Sequence, residues 1–145
     1  MSKIPKPMKS GSSDIFYTPE DVVVPLFNYI PKGQIIWECA CGIGSITDLF
    51  IKRGYKVKWS DISRDPKEDF LTYQPKQWDV IVTNPPFSIK DKFLKRAYSL
   101  GKPFAFLLPV TALGGQHREV MYKQYGIQLI LLGGRTNFMA EKNAP

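Results

Sequence analysis

Four consecutive residues, Asn84-Pro85-Pro86-Phe87, follow the mostly apolar run Trp78-Asp79-Val80-Ile81-Val82-Thr83. Proline fixes φ and donates no backbone hydrogen bond, so the Pro85 carbonyl and the Asn84 side chain can be held facing one point. An exocyclic amine offers two N–H donors to that pair of acceptors. The Phe87 ring adds a face on which a planar base can stack. The alternative is a plain turn whose asparagine caps a helix beginning at Ser88.

A second group of residues lies upstream. Gly42-Ile43-Gly44 falls between Ile35-Ile36-Trp37-Glu38-Cys39 and a segment of helical period. Glycine lets the backbone turn tightly and approach a ligand that a Cβ would repel, although a purely structural turn reads the same way. Thr47 stands where the dinucleotide fingerprint has its third glycine, which disfavours NAD. Asp61 sits just past the next strand, where an acid can accept hydrogen bonds from the ribose hydroxyls of a nucleoside or cap a solvated turn.

The chain of 145 residues has 20 lysines and arginines against 13 acids, a formal net charge of +7. Such a surface suits a polyanion. Lys90, Lys92, Lys95 and Arg96 follow the tetrapeptide, and Arg118 and Arg135 follow later strands, so these are the candidates for phosphate contact. Lys52, Arg53, Lys56 and Lys58 read as a solvated face. Two cysteines one residue apart, Cys39 and Cys41, and one histidine, His117, offer no metal-ligand spacing, so no metal is expected. No apolar run is long enough to span a bilayer, and the lysine- and proline-rich start is not a secretory signal, so a cytoplasmic location without a membrane partner is expected. The length suits one domain over 14–145, preceded by a flexible basic tail over 1–13.

Positioning these residues requires strands alternating with helices. Thr18-Pro19-Glu20-Asp21 predicts a capped helix that Pro25 interrupts before Leu26, Phe27 and Ile30 pack inward. Ile35–Cys39 is strand one, followed by a helix that Ser45 caps and Gly54 ends. Lys56–Ser60 alternates charged and apolar residues, as a half-exposed strand near a sheet edge should. A short strand is expected near Phe70-Leu71, and a central strand buried on both faces over Trp78–Thr83. Ser88 with Asp91 caps a helix whose inner stripe is Phe93, Leu94, Ala97 and Tyr98. Then come a buried strand over Phe104–Leu108, a helix over Arg118–Tyr125 stopped by Gly126, and a strand over Ile127–Leu132. The pattern is α/β with an open, mainly parallel sheet.

At these residues the sequence resembles the S-adenosylmethionine-dependent amino-methyltransferases, in particular DNA N6-adenine methyltransferases with an Asn-Pro-Pro-Phe or Asn-Pro-Pro-Tyr signature. The resemblance runs from Tyr17 to about Phe138. It implies a Rossmann-like methyltransferase fold, helices on both faces of a mainly parallel sheet, with S-adenosylmethionine as cofactor and DNA rather than RNA as partner. Carried over by position, Tyr17, Thr18 and Pro19 resemble the motif near the methionine end of the cofactor. Glu38, Cys39, Gly42 and Gly44 resemble the cofactor loop, Asp61 and Ile62 its ribose contact, and Asp69 and Phe70 the residues that hold its adenine. Asn84, Pro85, Pro86 and Phe87 resemble the catalytic tetrapeptide, with Asn84 also beside the cofactor. An RNA adenine enzyme, a protein glutamine methyltransferase and a silent cofactor-fold subunit are rival readings. The length leaves no place for a separate target-recognition domain. Only seven residues follow Phe138, so the family's last strand is expected to be missing or truncated: either the chain is a fragment, or a second copy or another partner completes the sheet edge, or the last hairpin is absent.

Overall fold

The computed structural model describes residues 16–133, 139 and 140. The expected basic tail over 1–13, Arg135, and the end of the resemblance at Phe138 lie outside the described residues. The chain enters through β1 (Phe16–Tyr17) and a single helical turn, α1 (Glu20–Val23), whose first turn carries Glu20 and Asp21 at its positive end. Pro25 removes a backbone donor, and the chain restarts as a 3₁₀ turn over Val24–Asn28. β2 (Ile35–Glu38), α2 (Ser45–Lys52), β3 (Lys56–Trp59), β4 (Val80–Thr83), α3 (Lys90–Ser99), β5 (Phe104–Phe106), α4 (Gln116–Tyr125) and β6 (Met139–Ala140) follow.

The main sheet runs β3-β2-β4-β5 with every pair parallel, and β1 pairs antiparallel with β6 as a separate two-stranded ribbon. Side chains alternate across a strand, so each inner strand feeds two cores. Ile36, Val80 and Val82 face α2, where Ile46, Leu49 and Phe50 close one core with Val23, Ile30 and Tyr55. Trp37 and Ile81 face the opposite way, onto Phe93 and Ala97 of α3 together with Phe70 and Trp78. Helices therefore cover both faces of a Rossmann-like α/β sheet. All four residues of β4 are buried, as a central parallel strand requires, whereas β3 alternates exposed and half-buried at the edge. Trp37 is fully covered, and its indole N–H donates to Ser60 Oγ at 2.9 Å, so burying the ring leaves no orphaned donor.

Several elements differ from their sequence reading. No strand forms at Phe70-Leu71. Asp69 Oδ1 accepts from Leu71 N at 2.9 Å, and the Asp69 carbonyl accepts from Thr72 N and Tyr73 N, so a short polar side chain turns the backbone before it can enter a ladder. No strand forms over Ile127–Leu132 either. That segment bonds to no described strand, and Leu131 is 84% exposed, because apolar content without a ladder partner does not make a strand. The strand expected over Phe104–Leu108 is the shorter β5, half-buried rather than buried.

The three expected hydroxyl caps are absent. Pro19 rather than Thr18 holds the N-cap of α1, Gly44 rather than Ser45 that of α2, and α3 begins at Lys90 after a 3₁₀ turn over Phe87–Ile89 instead of at Ser88. Asp91 pairs with Arg118 at 2.7 Å instead of closing a capping box. At Thr18 and Ser45 the hydroxyls serve tertiary contacts, described next.

Candidate functional site

The carboxyl end of β2 leads into a turn with two glycines in the left-handed region, Gly42 at φ +51° and Gly44 at φ +90°, where a β-carbon would be strained. The segment after β3 grips this turn. Asp61 Oδ2 accepts from Gly42 N at 2.8 Å, and Arg64 Nη2 donates to the Gly42 carbonyl at 3.1 Å. The other Asp61 oxygen accepts from Ser63 N at 2.8 Å and Ser63 Oγ at 2.6 Å, while Asp61 N donates to Glu68 Oε2 at 3.2 Å. A carboxylate has about four lone-pair sites. Asp61, only 8% exposed, has three of them occupied by its own neighbours.

Glu38 ends β2 and is buried, with Oε1 accepting from Ala40 N at 3.2 Å. Desolvation pushes its carboxyl up to about 8 against the opposing effects of the Thr83 hydroxyl and the Ala40 N–H, and the negative Asp61 nearby adds to the rise. Burial also pushes the Cys39 thiol well up and the Cys41 thiol up to about 12, with Glu38 reinforcing both. Neither cysteine is a thiolate nucleophile at neutral pH.

The tip of β4 is joined to this turn through Thr18. Asn84 Nδ2 donates to Thr18 Oγ1 at 3.3 Å, and Thr18 N donates to Ser45 Oγ at 3.2 Å. Thr18 is buried, and Ser45 immediately follows Gly44, so one residue bridges the start of α2 to the asparagine of the tetrapeptide. With its N–H engaged, the Asn84 amide offers Oδ1 as an acceptor. Pro85 is buried, and Tyr17, Pro19, Pro86 and Phe87 are half-buried around this junction in the chain.

Over part of its length the sequence has a curated counterpart. The Type II methyltransferase M.VspI of Vibrio sp. (strain 343) is 31% identical to it over 105 residues, a match covering 52% of this chain and 26% of that protein. Over half its length the chain is similar to a methyltransferase. It spans about a quarter of the length of that relative. No family model and no solved structure matches.

Set beside that similarity, the residues expected at the site divide into two sets. Asn84, Thr18 and Ser45 form one hydrogen-bonded group and Gly42 and Asp61 another, the two joined through the chain from Gly42 to Ser45, with Glu38 and Cys39 buried just behind the turn. Phe70 is not at a surface. Its ring is 1% exposed, 5.3 Å from Trp37 and 4.7 Å from Phe93, and it serves the core. Asp69 uses one carboxylate oxygen to hold its own turn, and Ile62 is exposed. His117 is exposed, and among the described residues no group of three or more His, Cys, Asp or Glu could hold a metal ion. Among the described residues no helix is long and apolar enough to cross a membrane.

Three expected phosphate contacts have other work, the first being Lys90, whose Nζ donates to the Phe87 carbonyl at 3.4 Å. Arg118 pairs with Asp91 and also donates to the Gly114 carbonyl, and Arg96 donates to the carbonyls of Phe70 and Tyr73. The sequence reading missed Ser45, Ser63, Arg64 and Glu68. The Asp61-Ile62-Ser63 spacing carries an Asx-turn signal that could have found Ser63. Nothing in the local sequence marks Arg64.

Proposed function

We propose that this chain is an S-adenosylmethionine-dependent methyltransferase that modifies the exocyclic N6 amine of adenine in DNA. The observation that carries the reading is the Thr18–Asn84 hydrogen bond, which orients the amide of Asn84 beside the glycine turn with Oδ1 left to accept. Similarity to a type II methyltransferase over half the chain supports it.

The turn after β2 fits the cofactor on its own chemistry. Its left-handed glycines carry no β-carbon to fend off a ligand, with the Gly42 backbone half-exposed, and Asp61 keeps about one of its four acceptor sites for a ribose hydroxyl while its loop bonds stay intact. Gly42, Gly44 and Asp61 would hold it, with Glu38 behind them and Tyr17, Thr18 and Pro19 toward its methionine end. The cofactor supplies an electrophilic methyl group on a sulfonium. The remaining chemistry belongs to this chain. Asn84 Oδ1 and the Pro85 carbonyl accept the two N–H groups of the target amine, which favours a tetrahedral nitrogen whose lone pair is withdrawn from conjugation with the ring and free to take the methyl group. The Phe87 ring stacks on the base once it has left its duplex. Alignment does most of the work, and the surplus proton passes to water, so no histidine base is needed.

The test is transfer of radiolabelled methyl from the cofactor to duplex DNA, single-stranded DNA, RNA or protein, with mass identification of the product nucleoside. N6-methyladenine in DNA is expected. Asn84→Ala should lower transfer by at least about 100-fold, the range for removing one hydrogen-bonding group at a reacting centre, while cofactor affinity changes little. Label in RNA or in glutamine side chains would replace the proposal with one of those substrates. Equal loss of transfer and of cofactor affinity would make Asn84 a structural residue.

A further inference from the structure

The acid in the first turn of α3 pairs outside its own helix. Asp91 is drawn to Arg118 of α4 at 2.7 Å. One turn on, Lys95 has thereby lost the acid four residues before it, its ordinary intrahelical partner. Among the described residues neither Lys92 nor Lys95 has a carboxylate within ion-pair reach, and both are exposed.

These two lysines rim a groove of about 280 Å³ between α3 and the turn that follows Phe70, together with Leu71, Arg96 and Ser99. Its form is fixed by Arg96, whose Nε and Nη2 donate to the Phe70 and Tyr73 carbonyls at 3.2 and 3.4 Å and tie helix to turn. Ser99 Oγ donates back to the Arg96 carbonyl at 2.6 Å. Leu71 lends an apolar wall to the groove, and the two lysines leave the helix at positions about 4.5 Å apart along its axis. Cations above an apolar floor match a sugar–phosphate unit, which has an anionic edge and an apolar sugar face. α3 also starts three residues after Phe87, so the groove lies on the element that leads away from the tetrapeptide.

We infer that this groove seats the backbone of the DNA strand beside the target base, with Lys92 and Lys95 as its phosphate contacts. The inference rests on the nucleic-acid reading above. It also narrows that reading, since Arg96 and Arg118 are occupied within the protein and the phosphates fall to the lysines.

Salt dependence tests it. Each phosphate neutralised on duplex DNA contributes about 0.9 to the slope of log affinity against log salt. Lys92→Gln with Lys95→Gln should therefore flatten the slope by about 1.8 for a short duplex. Lys56→Gln with Lys58→Gln removes the same charge from the far edge of the sheet and should leave the slope where it was. S-adenosylhomocysteine affinity, measured on both variants, should match the parent and shows that the fold is retained. Equal flattening by both pairs means diffuse attraction and overturns the groove. So does an unchanged slope in the Lys92/Lys95 variant while the parent protein still methylates DNA, a result that leaves the proposed function standing. A parent protein that neither binds nor methylates DNA removes both, as does groove-dependent binding of RNA alone.

Discussion

At the tip of β2 one glycine peptide is held from both sides, its N–H by Asp61 and its carbonyl by Arg64, and Asp61 is itself held by Ser63. At the tip of β4 the Asn84 amide has one side-chain hydrogen bond, 3.3 Å long, to Thr18. The first arrangement is rigid before any ligand arrives, as a binding cradle should be when ordering costs would otherwise weaken affinity. The Asn84 side chain in the second is held through a single longer bond, while Pro85 and Pro86 fix the backbone φ beside it. On the proposed function, the contrast separates a part that would bind the cofactor from a part that would adjust to a reacting group.

Removing the acid that organises the β2 tip should have the largest effect on cofactor affinity. Asp61→Ala strands the Gly42 and Ser63 donors and should weaken cofactor binding more than tenfold, about 1.5–3 kcal/mol for bonds to a charged group, with a fall in melting temperature alongside. Titration calorimetry with the cofactor and a thermal melt read both. Unchanged affinity would move the ribose site elsewhere.

Glu38 gives a pH signature at the same tip. Its carboxyl is raised from 4.5 to about 8, so between those values the folded protein keeps a proton that the unfolded chain has lost. Stability should therefore fall as pH rises through that window, the sign opposite to that of a paired surface acid. Glu38→Gln cannot ionise and should flatten the decline in melts taken from pH 5 to 9. An equal decline in both proteins would assign the pH dependence to another group.

The smallest change in stability should come from the bond that holds Asn84. Thr18→Val deletes the acceptor of the Asn84 amide but conserves volume, and should cost stability only about 0.5–1.5 kcal/mol. Methyl transfer should fall further than that stability change alone explains. A proportional loss of both would mean that the two tips are equally rigid and the contrast fails.

How much of this was legible in the sequence follows from which signals are local. β4 was readable because a strand buried on both faces must be apolar throughout, and β3 because an edge strand alternates. The two-sided core was implicit in Ile36 and Trp37, adjacent residues that pack on opposite faces. The caps were misread because a hydroxyl near a helix start has two uses, and Thr18 and Ser45 serve one another and Asn84 instead of the helix ends. Phe70 could be placed next to an acid but not assigned to a core, since its partners Trp37 and Phe93 are each more than twenty residues away. The Gly42, Asp61 and Asn84 positions were legible from residue type and strand ends. Arg64, which completes the grip on Gly42, was not.

The sheet has two unlike borders. Along β3, Lys56 and Lys58 stand exposed on alternate positions, so two copies laid together there would stack ammonium groups against each other. The opposite border, Phe104-Ala105-Phe106, contains no charge at all. Among the described residues, pairing of a second copy along its own β3 is thereby opposed by like charge, whereas pairing along β5 meets none.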